Sequence, residues 1–167
     1  PACAAAHGIP AAACLNGAAG KVTEAPARVS FYVLAAQEPA ARLNFACKLT
    51  EKAYKLGQQI HLYTTNGSEA DALDRMLWTF RQGSFIPHQR LDPGQAPNAP
   101  VTISSGSDAP PAVDLLINLA AEVPAFYGQF ARIAEIIDGS AECREAGRSR
   151  HRFYRQHNLE PETHQIG

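Results

Sequence analysis

The residues from Arg144 to Arg155 read Arg-Glu-Ala-Gly-Arg-Ser-Arg-His-Arg-Phe-Tyr-Arg, a helix-length run dense in guanidinium groups. Residues three and four apart are neighbours on a helix, so Arg144, Arg148, His151, Arg152 and Arg155 fall on about one face. Cys143, Ala146, Phe153 and Tyr154 fall on the other side, where they suit packing. Arginine presents a planar fork of donors matched to carboxylates and phosphates. In a chain of net charge −1, the stripe gathers positive charge locally. It is either a solvated basic face or a docking site for an anionic partner.

A second constellation surrounds the single tryptophan. Leu73, Met76, Leu77 and Phe80 form an apolar stripe at helical spacing. Trp78 lies roughly 140° from that stripe at ~100° per residue, among Asp71, Asp74 and Arg75. It either packs under the following loop or anchors a partner, a role in which tryptophan is favoured.

Catalytic and metal chemistry find no comparable pattern. There is no GxxxxGKS/T and no GxGxxG after the first strand, which leads instead into Ala35-Ala36-Gln37-Glu38-Pro39-Ala40. Asn66-Gly67-Ser68-Glu69 is explained by a turn with Ser68 as a helix cap. Ser84 follows Gly83 but lacks the GxSxG elbow. His61 sits in a strand, where a satisfied histidine is the simpler reading, and no carboxylate is matched by spacing to His88. His151, His157 and His164 are six and seven residues apart, which gives neither HExxH nor a zinc site. No catalytic residue, metal ligand or cofactor is therefore expected.

The elements that must position these residues follow from the apolar pattern. At 167 residues and 46% hydrophobic, the chain suits one globular domain with a sizeable core. Val29 to Leu34 is apolar on both alternating faces, as in a buried strand of a parallel sheet. Pro39 opens a helix that Gly57 stops, and Gln59 to Thr64 forms the next strand. A helix over 69–80 follows, then an edge segment over Ser84 to His88, since Pro87 cannot donate to a central ladder. Val101 to Ile103, Val113 to Leu119 and Ile133 to Ile137 read as further strands, with a short helix or turn over 124–130. The arginine helix spans about 141–157. These five strands interleaved with helices predict an α/β fold: a three-layer α/β/α sandwich on a mostly parallel, Rossmann-like sheet.

Residues 1–27 are expected to be a poorly ordered extension, 28–159 the single α/β domain and 160–167 a loose tail. The first twenty residues carry no charge and lack the features of a secretory signal, and Met76 is the only methionine, so the natural start is not visible. Cys3, Cys14, Cys47 and Cys143 show no CxxC or metal-finger spacing, which fits a reduced, cytoplasmic compartment. No apolar run approaches the ~20 residues that span a bilayer. A pI near 6.7 argues against a protein that coats nucleic acid nonspecifically.

The blocks Leu73-Asp74-Arg75-Met76-Leu77-Trp78 and Gly83-Ser84-Phe85-Ile86-Pro87-His88 resemble the chi subunit family of bacterial DNA polymerase III holoenzyme. The strands Val29 to Leu34 and Asp114 to Leu119 and the helix ending Arg148-Ser149-Arg150-His151-Arg152-Phe153-Tyr154-Arg155 match as well, so the resemblance covers roughly Arg28 to Leu159. It implies a nucleotide-binding-like fold without nucleotide chemistry, in a non-catalytic subunit that bridges two partners. One is the psi subunit of the clamp loader. The other is the acidic C-terminal tail of single-stranded-DNA-binding protein, which ends in an apolar residue with a free carboxylate.

On this resemblance Arg148 takes the terminal carboxylate, Arg144 and Arg152 attract the acidic residues before it, and Trp78 and Ile137 wall the pocket. His151 stands where the family often has tyrosine, a departure that adds pH sensitivity. Phe85 matches the aromatic of the psi-facing surface, which in some bacteria also receives a helicase; its alternative reading is a core residue. DNA is then engaged only indirectly, and no membrane partner is implied. Two other classes stay open. One is a small α/β nucleotide-binding protein or enzyme with an unrecognised site. The other is direct DNA binding by the arginine helix, which the modest charge and few nearby aromatics disfavour.

Overall fold

The computed structural model describes residues 26–106, 108, 110–111 and 113–167. Their elements, in order, are β1 (Arg28–Leu34), α1 (Pro39–Lys55), β2 (Ile60–Thr64), α2 (Gly67–Thr79), β3 (His88–Arg90) and β4 (Val101–Ser105). β5 (Leu115–Asn118), a 3-10 turn (Tyr127–Gln129), β6 (Arg132–Ile137), α3 (Ala141–Gln156) and β7 (Glu162–Ile166) complete the series. Among the described residues the strands form one sheet in the order β3-β4-β2-β5-β6-β1-β7, with every neighbouring pair parallel. The α/β, Rossmann-like architecture is therefore as the sequence predicts.

Alternation along the strands sorts the core into two clusters on opposite sheet faces. On β6, Ala134 and Ile136 belong to one cluster, whereas Ile133 and Ile137 belong to the other. The first cluster takes Ala46, Cys47 and Ala53 of α1 with Ala70, Leu73 and Leu77 of α2. The second takes Tyr154 of α3, together with Phe126 and Phe130 around the 3-10 turn. Helices α1 and α2 thus cover one face, and α3 covers the other. Every position of β5 is buried, Leu115, Leu116 and Ile117 with the polar Asn118 at its end, as a central parallel strand requires.

The local signals act as expected at most boundaries. Pro39 occupies the first turn of α1, where its missing N–H costs nothing. Gly57 follows the helix at φ +76°, a left-handed turn that glycine adopts without a Cβ clash. The cap of α2 differs from expectation: Asn66, not Ser68, accepts the Glu69 N–H at 2.9 Å. Ser68 lies inside the first turn.

Two strand expectations are corrected. The edge strand β3 begins at His88, so Ser84 to Pro87 is the loop leading into it. Residues 160–167 are not a loose tail, because Glu162–Ile166 pairs with β1 from Ser30↔Glu162 to Leu34↔Ile166. After α3 the chain turns at Asn158, whose φ is +61°, and the Leu159 N–H bonds the Tyr154 carbonyl at 3.0 Å. A polar sequence escapes recognition as a strand here because an edge strand needs no apolar alternation. The expected extension over 1–27 lies outside the described residues except for its last two.

Candidate docking site

Helix α3 carries the basic face. Ser140 caps it, its hydroxyl accepting the Cys143 N–H at 3.3 Å. Gly147, Arg150 and Tyr154 form the buried stripe, so the face bearing Arg144, Arg148, Arg152 and Arg155 turns outward. His151 lies at the border, half-buried, with its ring 5.3 Å from that of the buried Phe31. Arg148, His151, Arg152, Arg155 and Gln156 together line a surface concavity of about 490 Å3.

The electrostatics of this face are uneven. Arg148 donates from Nη2 and Nε to Glu145 Oε2 at 2.6 and 3.1 Å, an exposed pair three residues apart. That contact, with the nearby charge of Arg152, holds the Glu145 carboxyl below its ordinary range. Among the described residues, Arg144, Arg152 and Arg155 form no ion pair. Arg150 differs from its neighbours: its Nε donates to Glu135 Oε2 at 2.7 Å inside the core. Of the arginines in this run, one is thus spent within the protein and one is held by a carboxylate of its own helix.

On the other sheet face, the C-terminal end of α2 presents an aromatic pair. Trp78 is 54% exposed and Phe85 65%, and their ring centroids are 5.5 Å apart. The His88 ring lies 4.8 Å from Trp78, and its Nδ1–H donates to the Ile86 carbonyl at 2.7 Å. Ile86 is buried and draws the loop inward, so the adjacent Phe85 points out. Glu51 of α1 accepts hydrogen bonds from Ser84 Oγ at 3.0 Å and Arg81 Nη1 at 3.3 Å, which ties the same loop to the body. Exposed rings held this way form a ready contact surface, because little ordering entropy is left to lose on binding.

A sequence model of the family described as "DNA polymerase III chi subunit, HolC" matches residues 27–162. The chain is 38% identical over 139 residues to the DNA polymerase III subunit chi of Pseudomonas aeruginosa, covering 83% of this chain and 96% of that protein. This chain belongs to the chi family. The Escherichia coli DNA polymerase III subunit chi is 24% identical over 113 residues, covering 67% of this chain and 77% of that protein. Among solved structures, a chain from the S. cerevisiae Dbp5 complex with Gle1 and IP6 superposes with a TM-score of 0.57 at 10% identity. That match covers 86% of this chain and 43% of the other, so this chain spans less than half the length of its structural neighbour. It shows a shared fold alone.

Within this chi-family chain, the expected site residues separate into two groups. Arg148, His151 and Arg152 come together on α3, joined by Arg155 and Gln156, while Arg144 lies on the same helix outside the concavity. Trp78 does not join them. It sits on α2, across the sheet from α3, and pairs with Phe85 instead. Nor is Ile137 a wall of the concavity, since it is buried beneath α3 against Gly147. A helical wheel orients a side chain about its own axis but not across a sheet, so the shared pocket that the resemblance implies for Trp78 and the α3 arginines is not one the fold brings together. The core reading of Phe85 is excluded by its exposure.

The positions where this fold class holds phosphates are closed. Neighbouring strands β1 and β6 lead to helices on opposite faces, which opens a crevice at their C-terminal ends in nucleotide-binding relatives of the fold. Here the Gly139 N–H donates to the Ala36 carbonyl at 2.7 Å, and a Cβ on Gly139 would come 2.7 Å from the Ala35 carbonyl oxygen. At the start of α2, Asn66 Oδ1 caps the Glu69 N–H and Glu69 Oε2 accepts the Thr65 N–H at 3.2 Å. A further anion would meet the Glu69 carboxylate there. Among the described residues no cluster of His, Cys, Asp or Glu is placed to hold a metal ion, and no helix is long and apolar enough to cross a membrane.

Proposed function

We propose that this chi-family chain is a non-catalytic adaptor in DNA replication, joining the clamp loader through a psi subunit to the C-terminal tail of single-stranded-DNA-binding protein. The observation that carries this reading is the basic concavity of Arg148, His151, Arg152 and Arg155. An acidic peptide with a free carboxylate suits it in both charge and hydrogen-bonding geometry. Arg148 or Arg152 receives the terminal carboxylate, and Arg144 and Arg155 attract the acidic residues that precede it. The exposed Trp78–Phe85 pair, on the opposite sheet face, is the surface assigned to psi or to a helicase that replaces it. With the two surfaces on opposite faces, both partners fit at once in the cytoplasmic replisome, and DNA is reached through the tail.

Calorimetry with a peptide of the cognate tail tests this. Wild-type protein binds it, and Arg148→Ala weakens binding by roughly 1.5–3 kcal/mol, as for a charge-assisted contact. Added salt weakens binding less than it would along a phosphate track. Wild-type affinity in the variant removes Arg148 from the site. Tighter binding to an oligonucleotide than to the peptide at equal ionic strength supports the DNA-binding alternative instead.

A further inference from the structure

Helix α3 meets the sheet along a narrow strip. Its buried residues are Gly147, Arg150 and Tyr154, of which only Tyr154 brings a large ring. Gly147 allows close approach to β6, because a Cβ there would come 2.3 Å from Ile137 Cδ1. Apolar contact is non-directional, so Tyr154 and Gly147, with the partly buried Cys143 and Phe153 beside them, fix the distance of the helix far better than its rotation.

Directional bonds supply the rest. Arg150 Nε donates to Glu135 Oε2 at 2.7 Å, and the two side chains are 3% and 0% exposed. Tyr154 Oη donates to Glu135 Oε1 at 2.7 Å, and Asn118 Nδ2 donates to the same oxygen at 3.0 Å. Arg150 Nη1 also donates to the Ala121 carbonyl at 2.8 Å, and the Ala120 N–H donates to Asn118 Oδ1 at 3.0 Å. One buried carboxylate thus gathers donors from α3 and β5 on β6, while Arg150 ties α3 to the loop after β5.

We infer that the Glu135–Arg150 pair, with Tyr154 and Asn118, is the positioning element of the α3 face, setting the rotation at which Arg148 and Arg152 meet a terminal carboxylate. This rests on the reading of α3 as the tail-docking helix. A shift of one residue position turns a helix by about 100°, enough to exchange the outward face for its flank. Buried ion pairs are best attested where they specify register rather than raw stability.

Arg150→Met keeps most of the aliphatic stem and removes the donors. The Glu135 carboxyl is pushed up by burial, so without the guanidinium it takes up a proton and continues to accept from Tyr154 and Asn118. E135Q/R150M is the second variant, with no buried charge left at this site. The probes are a synthetic acidic peptide ending in phenylalanine and its C-terminally amidated twin, titrated calorimetrically into the full chain at one ionic strength.

Wild-type protein is expected to prefer the free carboxylate by about tenfold, the worth of one charge-assisted hydrogen bond. Both variants should keep a cooperative thermal transition while that preference falls to within about twofold. Lower affinity for both peptides with the preference intact overturns the inference and leaves the docking reading standing. Absence of any preference in wild-type protein overturns both together. Loss of general stability alone does not change the ratio, which is why the ratio is the readout.

Discussion

Arg148 and Glu145 form an exposed ion pair on α3, with Nη2 2.6 Å and Nε 3.1 Å from the same carboxylate oxygen. The guanidinium fork proposed to receive a partner's carboxylate therefore already holds one from its own helix. An incoming terminal carboxylate competes with Glu145 for those donors. Glu145→Gln is accordingly expected to tighten binding of an acidic tail peptide by roughly two- to fivefold, and more for the free-carboxylate form than for the amidated one. Glu142→Gln removes a charge from the same helix at a position with no ion pair among the described residues and should change affinity less. Equal effects in the two variants would reduce the Glu145 contact to general electrostatics.

The aromatic pair on the opposite face makes a separate prediction. Trp78 and Phe85 are half-exposed or more, so alanine at either should alter stability by no more than about 0.5 kcal/mol. Binding of a psi subunit should fall by roughly 2 kcal/mol or more, as at an aromatic anchor. Tail-peptide affinity should not change, since α3 lies across the sheet. As the only tryptophan, Trp78 also reports the interaction directly through its fluorescence. Psi binding unaffected by both substitutions would place that partner elsewhere.

Gly147 tests the packing of α3 on β6. Alanine normally gains ~1 kcal/mol over glycine inside a helix. Here the added methyl would stand 2.3 Å from Ile137 Cδ1, in a buried contact where the helix must lift or Ile137 must change rotamer. Overpacking of that kind costs ~1–3 kcal/mol, so Gly147→Ala should be destabilising on balance and lower Tm by roughly 2–6 °C. A higher Tm than wild type would show that the interface yields freely. I137A combined with Gly147→Ala should restore part of the helix contact.

His61 gives the fold a defined acid sensitivity. It is buried between Thr102 Oγ1 at 2.7 Å and Ser104 Oγ at 2.9 Å, and burial pushes its pKa from 6.5 down to about 4. The unfolded chain takes up a proton below pH 6.5 that the folded one refuses. The stability it contributes is therefore complete above that pH, declines as pH falls towards about 4 and is then lost. The whole effect is on the order of 3 kcal/mol. Denaturant unfolding at a series of pH values should show His61→Leu with a shallower decline than wild type across this window. Parallel curves would mean that His61 titrates normally in the folded chain.

Much of this architecture was legible in the residues themselves. Short apolar runs located β1, β2, β4, β5 and β6, and Pro39 and Gly57 bounded α1, because these signals act within a few residues of where they are read. The spacing of Arg144, Arg148, Arg152 and Arg155 was enough to predict a shared outward face, since it depends only on the helical repeat. The identity of the helix with the basic outward face thus needed no tertiary information.

What that information decided was which residues meet. Arg150 lies in the same arginine run as its neighbours, yet its partner Glu135 is on another element, so only packing reveals that this charge is buried. Trp78 and Phe85 meet because the loop after α2 folds back with Ile86 inside, and α2 and α3 part because crossovers send them to opposite faces. Polar β7 becomes a strand because β1 offers an open edge, a contact made across the chain rather than along it. Periodicity determines which way a side chain faces on its own element; the sheet determines what it faces.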